Sequence, residues 1–214
     1  MAEELRAHWD KVYEETPVER VGWYEAVPEL SLELIERCGV GTAESVLDAG
    51  AGASTLTDEL LARGWERVVA LDLSASALRL TAARLGPAAE KVTFVPGDIR
   101  DAAVEAQIPP VSIWHDRALL HFLTSPEDRE AYAMTVRRTV RPGGWVIIAT
   151  FALNGAEYCS GLPVQRSDAG MLGDLLGPDF ELVEAIDYVY RQPWGDERPY
   201  VYTRFRRKGE TPAG

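Results

Sequence analysis

Three aspartates stand where apolar runs end: Asp48 within Val46-Leu47-Asp48-Ala49, Asp72 in Leu71-Asp72-Leu73-Ser74, and Asp98 in Pro96-Gly97-Asp98-Ile99. Two glycines, Gly50 and Gly52, follow the first of them, and Ala51, Ala53 and Ser54 complete the segment. Glycine at both positions lets the backbone turn sharply and come close to a ligand, while the helical pattern that follows offers its first amides. The spacing predicts a strand that runs into a glycine turn and then a helix, a place for a nucleoside-like ligand. Such a turn is weak evidence by itself, so the surrounding residues must choose the ligand. A dinucleotide site calls for a third glycine where Thr55 stands, which disfavours a nicotinamide oxidoreductase. Asp48 is an awkward neighbour for a pyrophosphate and a suitable one for an ammonium group. Asp72 is placed to accept both hydroxyls of a ribose through its two oxygens. Asp98 is placed to accept from an exocyclic adenine amine, with Ile99 packing on the ring. Taken singly, each acid reads as well as a helix cap or a solvated turn; their joint placement carries the reading.

These residues need a scaffold, and the chain supplies an alternation of β-rich apolar runs and helical patterns from Glu44 to Thr150. That alternation predicts βαβ units and a parallel sheet with helices on both faces. Strands are expected near Ser45–Asp48, Val68–Asp72, Val92–Val95, Val111–His115 and Trp145–Phe151, and their unbroken apolar character predicts burial on both sides. Helices are expected over Thr55–Arg63 and Ala75–Leu85, the latter capped by Ser74 and stopped at Gly86-Pro87. A third begins after Ser125 with Pro126 at its first position and ends before a turn at Arg141-Pro142-Gly143-Gly144. Two more β-rich runs, Phe180–Tyr190 and Tyr200–Arg206, are joined by a loop too short for a parallel crossover, so they predict an antiparallel pair. The segment up to Cys38 reads as two helices around a loop carrying Pro17 and Gly22.

The glycine turn, the three strand-end acids and Arg141-Pro142-Gly143-Gly144 together resemble the signature series of class I S-adenosylmethionine-dependent methyltransferases. The resemblance covers the central half of the chain by motif and nearly all of it by element order. It implies an α/β, Rossmann-like, seven-stranded, mostly parallel sheet with helices on both faces and an antiparallel C-terminal hairpin, as a single domain over 1–214. Within it, 1–38 is expected as a helical cap, 44–151 as the cofactor-binding core, and 152–207 as a substrate-side loop and hairpin. The implied cofactor is S-adenosyl-L-methionine, held by Asp48, Gly50, Ala51, Gly52, Asp72, Leu73, Asp98 and Ile99.

Ile113-Trp114-His115-Asp116-Arg117 ends the fourth strand and leads to Ala118-Leu119-Leu120-His121-Phe122-Leu123. In related enzymes this region lies beside the methionine end of the cofactor. His115 and Asp116 are accordingly expected to touch the methionine or to orient an acceptor, and Arg117 to pair with the methionine carboxylate. His121 is a third catalytic candidate, against the alternative of a packing histidine. Trp9 and Tyr13, within His8-Trp9-Asp10-Lys11-Val12-Tyr13, and Trp23, in Val21-Gly22-Trp23-Tyr24, resemble the aromatic cap of bacterial methyltransferases with small or unassigned substrates. Aromatic faces suit a sulfonium cation, although the same residues also read as ordinary core packing. Cys159, in a loop after the fifth strand, is expected to be an inert thiol. Arg191-Gln192-Pro193-Trp194 is expected at a hairpin tip, either closing the pocket or exposed.

Composition narrows the acceptor. Net charge is -12 over 214 residues, a field that repels phosphate backbones and disfavours nucleic acid. No Asn/Asp-Pro-Pro-aromatic run follows the fourth strand, and no large recognition insert is present, so an O, N or S atom of a small molecule is the expected acceptor. A protein lysine and a non-catalytic cofactor-binding protein are the alternatives. No apolar stretch is long enough to span a bilayer and the N-terminus lacks an apolar run, so the expectation is a cytoplasmic protein without a membrane partner. The two cysteines have neither metal-ligand spacing nor the density of a disulfide framework.

Overall fold

A computed structural model of the chain describes residues 2–209. Helix α1 spans Ala2–Glu15 and α2 spans Glu29–Glu36, both preceding the first strand. The core then alternates: β1 (Ser45–Ala49), α3 (Leu56–Ala62), β2 (Arg67–Asp72), α4 (Ala75–Leu85), β3 (Val92–Pro96), α5 (Ala102–Glu105), β4 (Val111–Arg117), α6 (Pro126–Thr139) and β5 (Val140–Phe151). A small hairpin of β6 (Tyr158–Cys159) and β7 (Leu162–Pro163), helix α7 (Ala169–Leu176), β8 (Phe180–Arg191) and β9 (Glu197–Arg207) follow. Seven strands form one sheet in the order β3-β2-β1-β4-β5-β9-β8. All neighbours from β3 to β5 are parallel, and β9 runs antiparallel to both β5 and β8.

Burial follows from the apolar runs. Every residue of β1 is buried, and the sheet carries one apolar cluster on each face. One face packs Val104 of α5, Tyr132 and Val136 of α6, and Leu172 and Leu176 of α7. The other packs Leu32, Leu34 and Ile35 of α2, Leu56 and Leu60 of α3, and Leu78 of α4. Reversal of strand order between β1 and β4 opens a crevice at the carboxyl ends of the strands, the usual ligand position in open α/β sheets.

The predicted caps form. Ser74 Oγ accepts from the Ala77 amide at 3.1 Å, and Ser125 Oγ accepts from the Asp128 amide at 3.1 Å. Four features differ from the sequence reading, the first being the short helix α5, capped by Asp101, which accepts from the Ala103 amide at 2.8 Å. The turn expected at Arg141–Gly144 is an irregularity inside β5, where the register to β4 shifts between Val111 and Ile113 and Gly143 takes φ +75°. Helix α7 interrupts the stretch expected to be loop; Gly170 and Gly173 weaken its helical pattern. It forms because Asp168 caps it through the Met171 amide at 2.8 Å and because Leu172 and Leu176 are buried. The two-residue strands β6 and β7 were too short to leave a periodicity.

Candidate functional site

The turn after β1 owes its shape to glycine. Gly50 and Gly52 have φ of +71° and +52°, a region L side chains rarely adopt. A Cβ at Gly50 would lie 2.7 Å from Leu119 Cβ, and one at Gly52 would lie 2.2 Å from the Tyr13 hydroxyl. Beside this turn, at the ends of β1 to β4, lies a cavity that opens to solvent. Its floor carries Gly50, Asp72, Leu73, Asp98 and Ile99; its roof is Trp9, Tyr13 and Trp23; Leu119, Phe122 and Cys159 line it as well. A second cavity of about 530 Å³ adjoins it, lined by Glu25, Ser31, Asp48, Ala51 and His115. Tyr13, Trp23, Gly50 and Arg117 border both.

The acids differ in what they have left to offer. Asp72 accepts from the Gly52 amide at 2.8 Å through one oxygen and from the Ser74 amide at 2.7 Å through the other, which ties the glycine turn to the start of α4. Each oxygen keeps one lone pair toward the cavity. Burial, with Asp48 and Asp10 adding to it, pushes its pKa up to about 6 against those two hydrogen bonds. Asp98 is gripped by Arg100, whose Nε and Nη2 lie 2.8 and 2.5 Å from its two oxygens. Although burial opposes it, this grip holds the Asp98 carboxyl below its usual range. Arg100 also reaches Asp128 at 2.7 Å. Asp48 faces the second cavity, not the first, and its Oδ1 meets His115 Nδ1 at 2.8 Å.

The residues ending β4 separate into three environments. His115 is 2% exposed and uses both nitrogens, Nδ1 on Asp48 and Nε2 on the Ser31 hydroxyl at 2.9 Å. Asp116 turns away from both cavities: it accepts from the Leu119 amide at 2.9 Å, the Leu120 amide at 3.2 Å and the Tyr132 hydroxyl at 2.7 Å. Those bonds fix the positive-φ turn at Ala118 (φ 73°), so Asp116 shapes the cavity wall without reaching it. His121, the third catalytic candidate, is wholly buried between the Phe122 and Phe151 rings, at 4.4 and 4.6 Å. Burial and the nearby Arg117 charge lower its pKa to about 3, so it is neutral and very weakly basic, and it borders neither cavity. Only Arg117 of this group reaches the cavity that holds Asp72.

The aromatic cap assembles as an edge-to-face cluster. Trp9 meets Trp23 at 5.6 Å and Phe122 at 4.9 Å, and Tyr13 meets Trp23 at 6.1 Å. The segment 22–25 that carries Trp23 is held by four successive carbonyls, each accepting from a different element. Gln192 Nε2 donates to Gly22 O at 3.0 Å, Arg117 Nη1 to Trp23 O at 2.9 Å, Tyr190 Oη to Tyr24 O at 2.5 Å, and Thr55 Oγ1 to Glu25 O at 2.8 Å. Gln192, expected at a hairpin tip, therefore closes the cap, whereas Trp194 is exposed. Asp10, Glu25 and Ser31 escaped the sequence reading. Asp10 accepts from the Ser74 hydroxyl at 2.6 Å and so pins α1 onto the start of α4. The acid one residue after Trp9 was its only signal. Cys159 lines the cavity with its pKa pushed up to about 11 by burial, which keeps it an unreactive thiol.

Comparison with known proteins agrees with this arrangement. Residues 46–144, from β1 into the turn of β5, match the family model described as a methyltransferase domain. The chain is 28% identical over 153 residues to the ubiquinone biosynthesis O-methyltransferase of Chromobacterium violaceum, an alignment covering 70% of this chain and 60% of that protein's length. Its fold superposes on a SAM-dependent methyltransferase from Anabaena variabilis with a TM-score of 0.76 at 17% identity, covering 97% and 95% of the two chains. It superposes on the Burkholderia thailandensis 1,6-didemethyltoxoflavin-N1-methyltransferase with a TM-score of 0.69 at 22% identity, covering 97% and 88%. In strand order, glycine turn and matched segment, the chain is similar to the class I S-adenosylmethionine-dependent methyltransferases.

Proposed function

We propose that the protein transfers a methyl group from S-adenosylmethionine to an O, N or S atom of a small-molecule acceptor. The observation that carries this reading is a single cavity in which a positive-φ glycine turn, the free lone pairs of Asp72 and an aromatic roof converge. The residues present fit the cofactor. Asp72 takes the ribose hydroxyls, Leu73 and Ile99 sandwich the adenine, and Gly50 to Gly52 leave room for the chain beyond the ribose. Asp98, with its oxygens already shared with Arg100, serves adenine through one remaining lone pair. Asp48 and His115 face the adjoining cavity, where a carboxylate suits the ammonium of the amino-acid end.

When bound, the cofactor supplies a methyl group already activated by a positively charged sulfur. The protein's part is to align the acceptor and exclude water. Trp9, Tyr13 and Trp23 close the roof and offer aromatic faces to a sulfonium cation. Asp116 sets the Ala118 turn, and His115 couples β4 to α2 through Ser31, so both act as positioning residues. His121 is assigned to packing. A small acceptor follows from the closed aromatic roof, and the ubiquinone and toxoflavin methyltransferases named above act on small molecules by their names. The acidic surface argues against nucleic acid, and cytoplasmic residence in one domain completes the proposal. Among the described residues no helix is long and apolar enough to cross a membrane.

The test is methyl transfer from labelled S-adenosylmethionine to fractionated small-molecule extract, with label recovered in a product below about 1 kDa. Label appearing only in protein would replace the small acceptor with a lysine. Cofactor binding with no transfer to either fraction would favour the non-catalytic alternative.

A further inference from the structure

Arg117 is a buried cation with one set of donors unmet. Its side chain is 10% exposed and borders both cavities. Nε lies 3.1 Å from Glu25 Oε2 and donates to the Tyr202 hydroxyl at 3.0 Å, and Nη1 donates to Trp23 O at 2.9 Å. The guanidinium also lies over the Tyr190 and Tyr200 rings at 4.8 and 5.3 Å. Nη2 is buried and has no hydrogen-bond partner among the described residues. An unpaired donor on a permanent charge is among the costliest groups to bury, and the cheapest remedy is an anion. Glu25 does not remove the need, because its carboxylate addresses Nε and burial raises its own pKa despite the attraction of Arg117.

With the cofactor in place as proposed above, the first cavity offers no free general base. Of the titratable groups that line it, Asp72 is bonded to two backbone amides and gives its remaining lone pairs to the ribose in that reading, and Asp98 and Arg100 are bonded to each other. Tyr13 and Cys159 have their pKa values raised by burial and stay protonated. In the second cavity His115 has both nitrogens engaged, Asp48 meets one of them, and Glu25 is paired with Arg117. An amine that must shed a proton finds on these walls only acids that are already paired, and its methylated product would add positive charge beside Arg117. An acceptor that ionises in water and arrives as an anion needs no base at all.

We propose that Arg117 binds the methyl acceptor as an anion, so that the protein serves small molecules whose nucleophilic atom ionises, thiols and acidic hydroxyls, in preference to amines. This rests on the methyltransferase reading and narrows its acceptor class. The acceptor's proton goes to solvent before binding. Its freed electron pair then forms the new bond to the methyl carbon while the donor sulfur keeps the pair of the bond that breaks. One positive and one negative charge disappear together, a change that a low-dielectric site favours. Trp9, Trp23, Leu119 and Phe122 suit an apolar or aromatic body for such an acceptor.

The probe is 4-nitrophenol, whose ionised form alone absorbs in the visible, titrated against pH in the complex with S-adenosylhomocysteine. The expected result is a pKa for the bound phenol at least one unit below its value in water. That shift should be lost in Arg117→Met and largely kept in Arg117→Lys, with affinity for S-adenosylhomocysteine lowered no more than about fivefold, the cost of one strap bond to the cap. An unshifted pKa in the wild-type complex, failure of the probe to bind that complex, or an equal shift in Arg117→Met overturns the proposal. So does a tenfold or greater loss of S-adenosylhomocysteine affinity in Arg117→Met with 5′-methylthioadenosine binding unchanged, because the anion would then be the cofactor's own carboxylate. The wild-type measurement stands alone if Arg117→Met does not fold. If wild type binds no S-adenosylhomocysteine, the methyltransferase reading fails first and this inference with it.

Discussion

Asp72 serves two ends with one carboxylate, bracing the glycine turn through Gly52 and Ser74 while presenting its remaining lone pairs to the cavity. Asp72→Ala is expected to weaken S-adenosylmethionine binding by about 2–3 kcal/mol, because two hydroxyls lose a charged acceptor. Calorimetry checks this, and an unchanged affinity contradicts the ribose assignment. The same burial has a pH signature. The pKa of Asp72 is about 6 in the fold, raised chiefly by desolvation, against an ordinary value near 4. Between those values the folded state holds more protons than the unfolded one, so this group's contribution to stability falls as pH rises through that window. Asp72→Asn should therefore gain on wild type as pH rises from about 4 to 6 in denaturant titrations of the free protein. A difference that stays constant across that range contradicts the assignment. The acids themselves were legible from their places at strand ends. Their partners were not: His115 and Ser31 meet Asp48 from β4 and α2, and spacing along a chain carries no record of which strands become neighbours. His121 shows the reverse, since a histidine among apolar residues reads alike as base or as packing until its burial is known.

Among the elements, the N-terminal cap is the part whose role most needs separating from folding. Tyr13 belongs to a small cluster with Ala53 and Ala77, distinct from the two large clusters on the sheet faces. Removing the residues before Pro28 should thus spare the sheet while abolishing cofactor binding. Circular dichroism and calorimetry on the truncated chain check this; global unfolding would make the cap part of the core. A milder change tests the strap. Tyr190→Phe deletes the bond to Tyr24 O and is expected to destabilise the docked segment by about 1 kcal/mol, read as faster release of S-adenosylhomocysteine in stopped flow. An unchanged release rate would show that the strap does not gate the site. Strands β1 to β5 and helices α3, α4 and α6 were readable because apolar continuity and Ser74 or Ser125 caps coincide there. Helix α7 was hidden by Gly170 and Gly173 and is held by tertiary packing, which overrides propensity.

The whole molecule joins an acidic surface to a cavity that must hold a cationic sulfur, and both sides of that pairing are measurable. With a net charge of -12, the protein should show no salt-dependent retention on duplex DNA at 50 mM salt, the condition in which phosphate contacts are strongest. The central claim, that an adenosyl group sits on Asp72 beneath the aromatic cap, is tested most directly by titrating the purified chain with S-adenosylhomocysteine in a calorimeter. The account predicts one site per chain. It also predicts a melting temperature raised by about 5–10 °C at a hundredfold excess over the dissociation constant, since such saturation adds about 2.7 kcal/mol. A correctly folded sample giving neither heat of binding nor thermal shift with S-adenosylhomocysteine or S-adenosylmethionine would contradict it.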